Sequence, residues 1–306
     1  MRLRADLLLF MVAMLWGSAF VAQRVAGLNG SVFFFNGARY LVAASVVAPL
    51  AKAWSRPRAV GFDHVQWMWM AFAGTILFLA AALQQAGLMD TTAGNAGFLT
   101  SLYVVLVPLV LFLGWRERPS GWTTVSIVTA VVGAFLLSSA SAAEVRRGDL
   151  LELVGAGFWA LHVVLLGKFA ARFDALSFST GQLLVCGLLN LGVGAIFETF
   201  DATSLAQLGW AVAYTGMLSL GIGYTVQVWA QRHTPPTEAA LILSLESVVA
   251  ALGGWIFLRE VLSPLQLTGC ALILLAVVLL QVKATGATGV RPGRPPDTIG
   301  ISGRRY

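Results

Sequence analysis

Long apolar stretches recur along the whole chain, each bounded by a short cluster of polar, charged or turn-forming residues. About 20 apolar residues suffice to cross a ~30 Å hydrocarbon core at ~1.5 Å rise per residue. Scanned in windows of about 19 residues, the pattern places spans near 6–26, 32–54, 65–87, 91–114, 122–140, 149–172, 175–199, 207–232, 235–258 and 264–283. It predicts an all-α integral membrane protein of about ten transmembrane helices.

Composition agrees with the pattern. Of 306 residues, 58% are hydrophobic and 11% charged, where a soluble domain carries roughly a quarter charged. The 32 glycines suit membrane helices, which pack closely through small residues because lipid gives no hydrophobic drive for association. Cys186 and Cys270 fall inside apolar runs, so no disulfide is expected. A net charge of +6 raises the question of nucleic acid, but the basic residues lie in loops and tails without a basic face, so no nucleic-acid partner is expected.

The basic residues report orientation instead. With the N-terminus in the cytoplasm, loops and tails on that side collect Arg2, Arg4, Lys52, Arg116, Arg118, Lys168 and most of the rest. The other side receives Arg24, Arg146, Arg147 and Arg259. The positive-inside rule then puts both termini in the cytoplasm and the protein in the inner (plasma) membrane as a multi-pass species. Trp54, Trp67, Trp115, Trp122, Trp210 and Trp255 fall near predicted helix ends, the place of an interfacial aromatic belt.

Sliding the chain against itself by 143 residues (149 minus 6) lays Asp6-Leu7-Leu8 on Asp149-Leu150-Leu151. The same register pairs Trp16 with Trp159, Gln84 with Gln227, Ser101-Leu102 with Ser244-Leu245, and Arg116-Glu117 with Arg259-Glu260. This is an internal duplication. Five spans per copy is an odd number, so the second copy enters the membrane from the opposite side, giving two inverted five-helix repeats over 6–140 and 149–283. The repeat also marks the first apolar segment as a retained span rather than a signal peptide, since its partner is internal. Residues 284–306, rich in Gly, Pro and Arg, are expected to form a disordered cytoplasmic tail.

Three stretches carry a family resemblance: Trp-Gly-Ser-Ala-Phe at 16–20, the run Phe33 to Arg39 ending Asn-Gly-Ala-Arg, and Ser244-Leu245-Glu246 followed by small and apolar residues to Arg259-Glu260. Together with the repeat, they make the chain resemble the EamA family of the drug/metabolite transporter superfamily over nearly all of 6–283. The resemblance implies secondary transport of small metabolites, amino acids among them. Members of the family usually have Pro after the intramembrane Glu, whereas this chain has Ser247, so a straighter ninth helix is expected.

Polar groups inside the spans are the candidates for chemistry. Arg39 lies mid-span, where a charge costs ~2.5–3.5 kcal/mol even on the lenient insertion scale. It reads either as a structural arginine or as a cationic anchor for a carboxylate or a charge partner of Glu246. Glu246, central in the ninth span, reads as half of an ion pair or as a proton-coupling or solute-binding carboxylate. Gln84 and Gln227 are either interhelical glue or part of a solute site, and Asn95 carries the same ambiguity. Trp16 and Trp159, too deep for a belt, fill the core or wall a cavity that Tyr103 and Tyr224 extend. His162 reads as a satisfied buried histidine or a proton relay, and three scattered histidines give no metal-ligand spacing.

No G-x-S-x-G, Walker-type loop or H-E-x-x-H is present, so no ATP drive and no cofactor are expected. The leading expectation is a secondary transporter working by alternating access around a central cavity, with a small-molecule solute, the lipid bilayer and protons as coupling ion for partners. It would act as a monomer or weakly associating homodimer. The alternatives are an intramembrane enzyme, for which only Ser/Thr residues near His162 or Glu246 could supply a nucleophile and base, and a channel, for which the sequence shows no ring of repeated charges.

Overall fold

A computed structural model describes residues 1–28, 31–54, 64–138 and 146–287. Among them the chain is helical throughout: α1 Arg2–Gly27, α2 Phe33–Trp54, α3 His64–Gly87, α4 Ala93–Ser101, α5 Tyr103–Trp115, α6 Gly121–Ser138, α7 Arg147–Phe169, α8 Ala175–Phe197, α9 Ala202–Gln207, α10 Gly209–Ala213, a π-helical segment Tyr214–Ile222, α11 Gly223–Ala230, α12 Pro236–Leu243, α13 Glu246–Leu258 and α14 Pro264–Ala287. Eight helical stretches are long and apolar enough to cross a membrane, counting α4 with α5 and α12 with α13, and Gly121–Leu137 is a shorter apolar one. The start of the expected tail is helical, because α14 runs on to Ala287; the rest of that tail, from 288, lies outside the described residues.

Helix starts follow the caps written in the sequence. Thr92 accepts the Asn95 N–H at 3.1 Å, and Asp174 accepts that of Ser177 at 2.9 Å. Glu198 reaches across to the start of α2 and accepts from the N–H groups of Val32, Phe33 and Phe34. Two helix ends match across the repeat offset: Arg116 and Arg259 both close their helices in the left-handed region, at φ 57° and 58°.

Three expected continuous helices are broken. The ninth is pinched at Ser244–Leu245 although no proline stands there, which corrects the expectation of a straighter helix. The Ser244 hydroxyl donates back to Leu241 O and that of Ser247 to Ser244 O, each at 2.7 Å. Side-chain bonds of this kind compete with the helical ladder and bend it. The fourth helix breaks at the matching place, where Ser101 donates to Phe98 O at 2.7 Å. The eighth, expected as one apolar helix over 207–232, is instead α10, the π segment and α11 in succession.

Packing pairs α2 with α8, α3 with α7, α6 with α14, and α1 with α13; α4 lies between α13 and α7. Gly17 of the Trp-Gly-Ser-Ala-Phe run explains one of these contacts. A Cβ there would meet Glu246 O and Val249 Cβ at 2.5 Å, so only glycine lets α1 lie on α13. The outer surface carries large apolar side chains such as Leu113, Phe135, Ile196 and Phe257, a surface suited to lipid and far too apolar for water.

Candidate functional site

The pinched helices, α1, α2, α3, α7 and the π segment surround a central cavity of about 40 Å³. At about 10–15 Å³ per water-sized occupant, that is room for a few waters. Four pairs related by the 143-residue offset line it: Trp16 with Trp159, Phe20 with Val163, Gln84 with Gln227, and Tyr103 with Glu246. Tyr103 and Glu246 are the first residues of α5 and α13, so each helix break delivers a polar side chain to the centre.

Arg39 enters from α2. Its Nε donates to Asn36 Oδ1 at 2.9 Å, and Asn36 in turn donates to Ala81 O of α3 at 3.0 Å. The guanidinium lies over the rings of Phe35 and Tyr40, 5.4 and 5.2 Å from their centroids. Asn36 thus braces the cation from behind and two ring faces stabilise it. Glu246 lines the same cavity, yet no ion pair joins it to Arg39 among the described residues. A cation and a carboxyl therefore share one cavity without satisfying each other.

Tyr224 is the hub of the aromatic wall. Its ring lies 5.0 Å from Trp16 and 6.4 Å from both Tyr40 and Trp159, the last nearly parallel. Trp16 is anchored by its Nε1–H, which donates to Ser219 O in the π segment at 2.9 Å. The wider π turn leaves that carbonyl for a side chain, a device found at functional positions in helices. Among the described residues, Trp159 Nε1, Gln227 Oε1 and Glu246 Oε1 are buried without a hydrogen-bond partner. Buried polar atoms are ordinarily paired, so a convergent unpaired set points to water or a ligand as its complement.

Of the residues singled out from sequence, Trp16, Arg39, Gln84, Tyr103, Trp159, Tyr224, Gln227 and Glu246 gather around this cavity. Asn95 and His162 do not. Asn95 sits at one end of the bundle, where its Nδ2 donates to Asp149 at 2.7 Å. His162 lies behind Tyr224, with Nε2 2.9 Å from Gln182 Oε1. Tyr40, Gln23 and Thr100 also line the cavity, and the sequence pattern did not point to them.

Polar contacts tie the helices together at both ends of the bundle. At one end Asp149 accepts from Thr91 Oγ1 at 3.0 Å and from Asn95. At the other Asp6 accepts from Thr234 Oγ1 at 2.7 Å, and Arg2 pairs with Asp6 and with Glu238. Asp149 and Thr91 are the offset partners of Asp6 and Thr234.

The EamA-like transporter family model matches this chain twice, over residues 3–139 and 146–282. A protein named as an uncharacterized transporter from Archaeoglobus fulgidus is 32% identical over 92% of this chain and 87% of its own length. The threonine/homoserine exporter RhtA of Escherichia coli is 29% identical over 55% of this chain and 57% of its own. One solved crystal structure superimposes with a TM-score of 0.77, covering 93% of this chain and 98% of that one at 18% identity, a likeness of fold alone. With each of its two halves matched by one family model and its apolar helices packed around a polar cavity, the chain belongs to the EamA-like transporter family and is a multi-pass membrane transporter.

Proposed function

We propose that the protein is a secondary transporter of ten membrane spans, two inverted five-helix repeats over 6–140 and 149–283, that carries an amino-acid-like zwitterion through its central cavity by alternating access. One observation carries the solute class: Arg39 and Glu246 line the same cavity and are not paired with each other. A zwitterion supplies a carboxylate for the guanidinium and an ammonium for the carboxyl, so the buried cation and the buried carboxyl each gain a partner on binding. The Trp16–Tyr224–Trp159 wall accommodates the apolar part of the solute. That a relative is named a threonine/homoserine exporter is in keeping with this class.

The inverted repeat is supported by the twofold family match, by the matched helix breaks and left-handed caps, and by the offset partners that line one cavity. In such folds broken helices meet at the midplane site and the two ends open in turn. A cavity with room for a few waters and latched ends suits a state between openings. Both termini lie in the cytoplasm on this reading, and the Asp149 end faces outward in the plasma membrane.

The test is flux of labelled threonine and homoserine into proteoliposomes holding the full chain. Saturable flux is expected, and Arg39→Leu should lower it by ~100-fold or more by removing a charge-assisted contact worth a few kcal/mol. The variant should still insert, because Leu suits lipid better than Arg. Saturable flux unchanged in the Leu variant would eliminate the anchor. Orientation is read separately: Asp90→Cys should label with an impermeant thiol reagent from outside intact cells and Arg118→Cys should not, both sites being exposed.

A further inference from the structure

Glu152, on α7, is a carboxyl that the site described so far does not use. It is 1% exposed and lies one turn inward from Asp149. Its Oε2 accepts from Thr100 Oγ1 at 3.0 Å, and Thr100 lines the central cavity. Its Oε1 has no hydrogen-bond partner among the described residues.

The surroundings are shaped for this carboxyl. A Cβ on Gly87 of α3 would meet Glu152 Cγ at 2.8 Å and Oε1 at 2.9 Å, so the glycine is a notch that admits the side chain. The offset partners of Glu152, Thr100 and Gly87 are Leu9, Leu243 and Ala230, all buried. The same packing position is therefore filled at the other end by apolar residues. A buried polar group is costly where an apolar one fits, so packing alone does not account for this set.

Asp149 stands outward on α7 and Glu246 of α13 inward across the cavity, both within electrostatic reach of Glu152. From α4 come Thr100, bonded to Glu152, and Asn95, bonded to Asp149, while Gln84 of α3 and Tyr103 of α5 line the cavity that Thr100 reaches. Arg24 and Arg146 stay at the end of the bundle, bonded to backbone carbonyls of Leu88, Met89 and Asp90. No lysine or arginine makes an ion pair with Glu152 among the described residues. Three carboxyls thus lead from the Asp149 end to the cavity, the middle one without a cation.

Resting on the transporter reading, we propose that Glu152 is a proton-binding site between the Asp149 end and the central cavity, exchanging its proton with Glu246 through the cavity. When the Glu152 O–H bond breaks, Glu152 becomes a carboxylate and the proton passes by way of cavity water to the Glu246 carboxylate, which becomes the acid. The Thr100 hydroxyl serves both states, accepting from the acid or donating to the carboxylate by rotation. Loading at Glu152 would then link the outward-facing state to the medium on that side.

Two measurements on the full chain test this. Infrared difference spectra in lipid across a pH titration should show a protonated-carboxyl carbonyl band that disappears in Glu152→Gln; this readout needs no solute. In proteoliposomes, accumulation of labelled homoserine driven by a pH gradient should fall ~tenfold or more in Glu152→Gln, with homoserine exchange much less affected, since exchange moves no net proton. The double variant Glu152→Leu with Thr100→Leu copies the opposite end, so it should fold and should lack the titrating band and the pH-driven accumulation. A titrating band unchanged in Glu152→Gln overturns the proposal. Parental pH-driven accumulation in either variant, or accumulation in the parent that follows a sodium gradient instead, also overturns it. Absence of threonine or homoserine flux in the parent would count against the solute class, and the infrared arm would still decide Glu152.

Discussion

At the end that carries Asp149, one carboxylate gathers two neutral side chains, Thr91 and Asn95, and the N–H of Arg146. At the end that carries Asp6, the offset partner of Asn95 is Glu238, and Arg2 joins Glu238 and Asp6 while Thr234 keeps its bond. The contrast extends to the helix starts. Glu260 crosses to accept from the N–H groups of Ala93 at 3.0 Å and Gly94 at 3.3 Å, capping α4. Its offset partner Glu117 faces a helix that begins with Pro236, the counterpart of Ala93; Pro has no N–H to offer, and Glu117 pairs with Lys168 instead. One backbone plan is thus closed at one end by a carboxylate bonded to neutral donors and a shared cap, and at the other by ion pairs. Duplication preserves the positions of backbone and latch, while the side chains around them diverge end by end.

The comparison is tested most strongly by removing each latch. Asp149→Ala strips Thr91 and Asn95 of their acceptor and should raise thiol labelling of Phe20→Cys, in the cavity wall, by ~tenfold or more from the Asp149 side. Asp6→Ala should raise it from the opposite side by less, because Arg2 keeps Glu238. Labelling that rises from the same side in both variants would break the comparison.

A smaller effect is expected from the caps. Glu260→Ala leaves two helix-start N–H groups unmatched and should cost about 1–2 kcal/mol in detergent unfolding. Glu117→Ala loses an ion pair with a half-exposed carboxylate and should stay within about 0.5 kcal/mol. Equal losses would show that the caps are equivalent after all.

The smallest effect should come from salt. Raising ionic strength from 0.1 to 1 M shortens the screening length from about 10 to 3 Å. The Arg2–Glu238 pair, with side chains 41% and 20% exposed, should loosen. Cavity labelling from the Asp6 side should then rise severalfold at most, with none from the Asp149 side. A salt response at the Asp149 end alone would reverse the assignment of charge to the two latches.

Much of the candidate site was legible because charge and register stand out against an apolar background. Arg39 and Glu246 interrupt long uncharged runs, and Trp16, Gln84 and Tyr103 were marked by their offset partners. Tyr40, Gln23 and Thr100 were not legible for a physical reason. A helix in lipid is apolar on its outer face as well as its packed face, so no amphipathic contrast tells which side a residue points to. Glu152 escaped notice because it falls three residues from the start of its span, where a carboxyl reads as interfacial; only the close packing of α3 and α4 buries it.

The sequence by itself determined where the apolar helices run, that the chain is two related halves, and which charges lie within the helices. Each of these depends on local sums: transfer of a window of residues to lipid, or identity at a fixed offset. Tertiary structure decided the rest. The break before Glu246 arises from serine hydroxyls turning back on their own helix in the place where proline was expected, and the π segment supplies the carbonyl that fixes Trp16. Asn95 went to an end latch and His162 behind the aromatic wall, away from the residues they were grouped with. Those outcomes depend on how each helix is rotated and how closely it meets distant partners, which is set by small residues such as Gly17 and Gly87 at crossings between segments far apart in the chain.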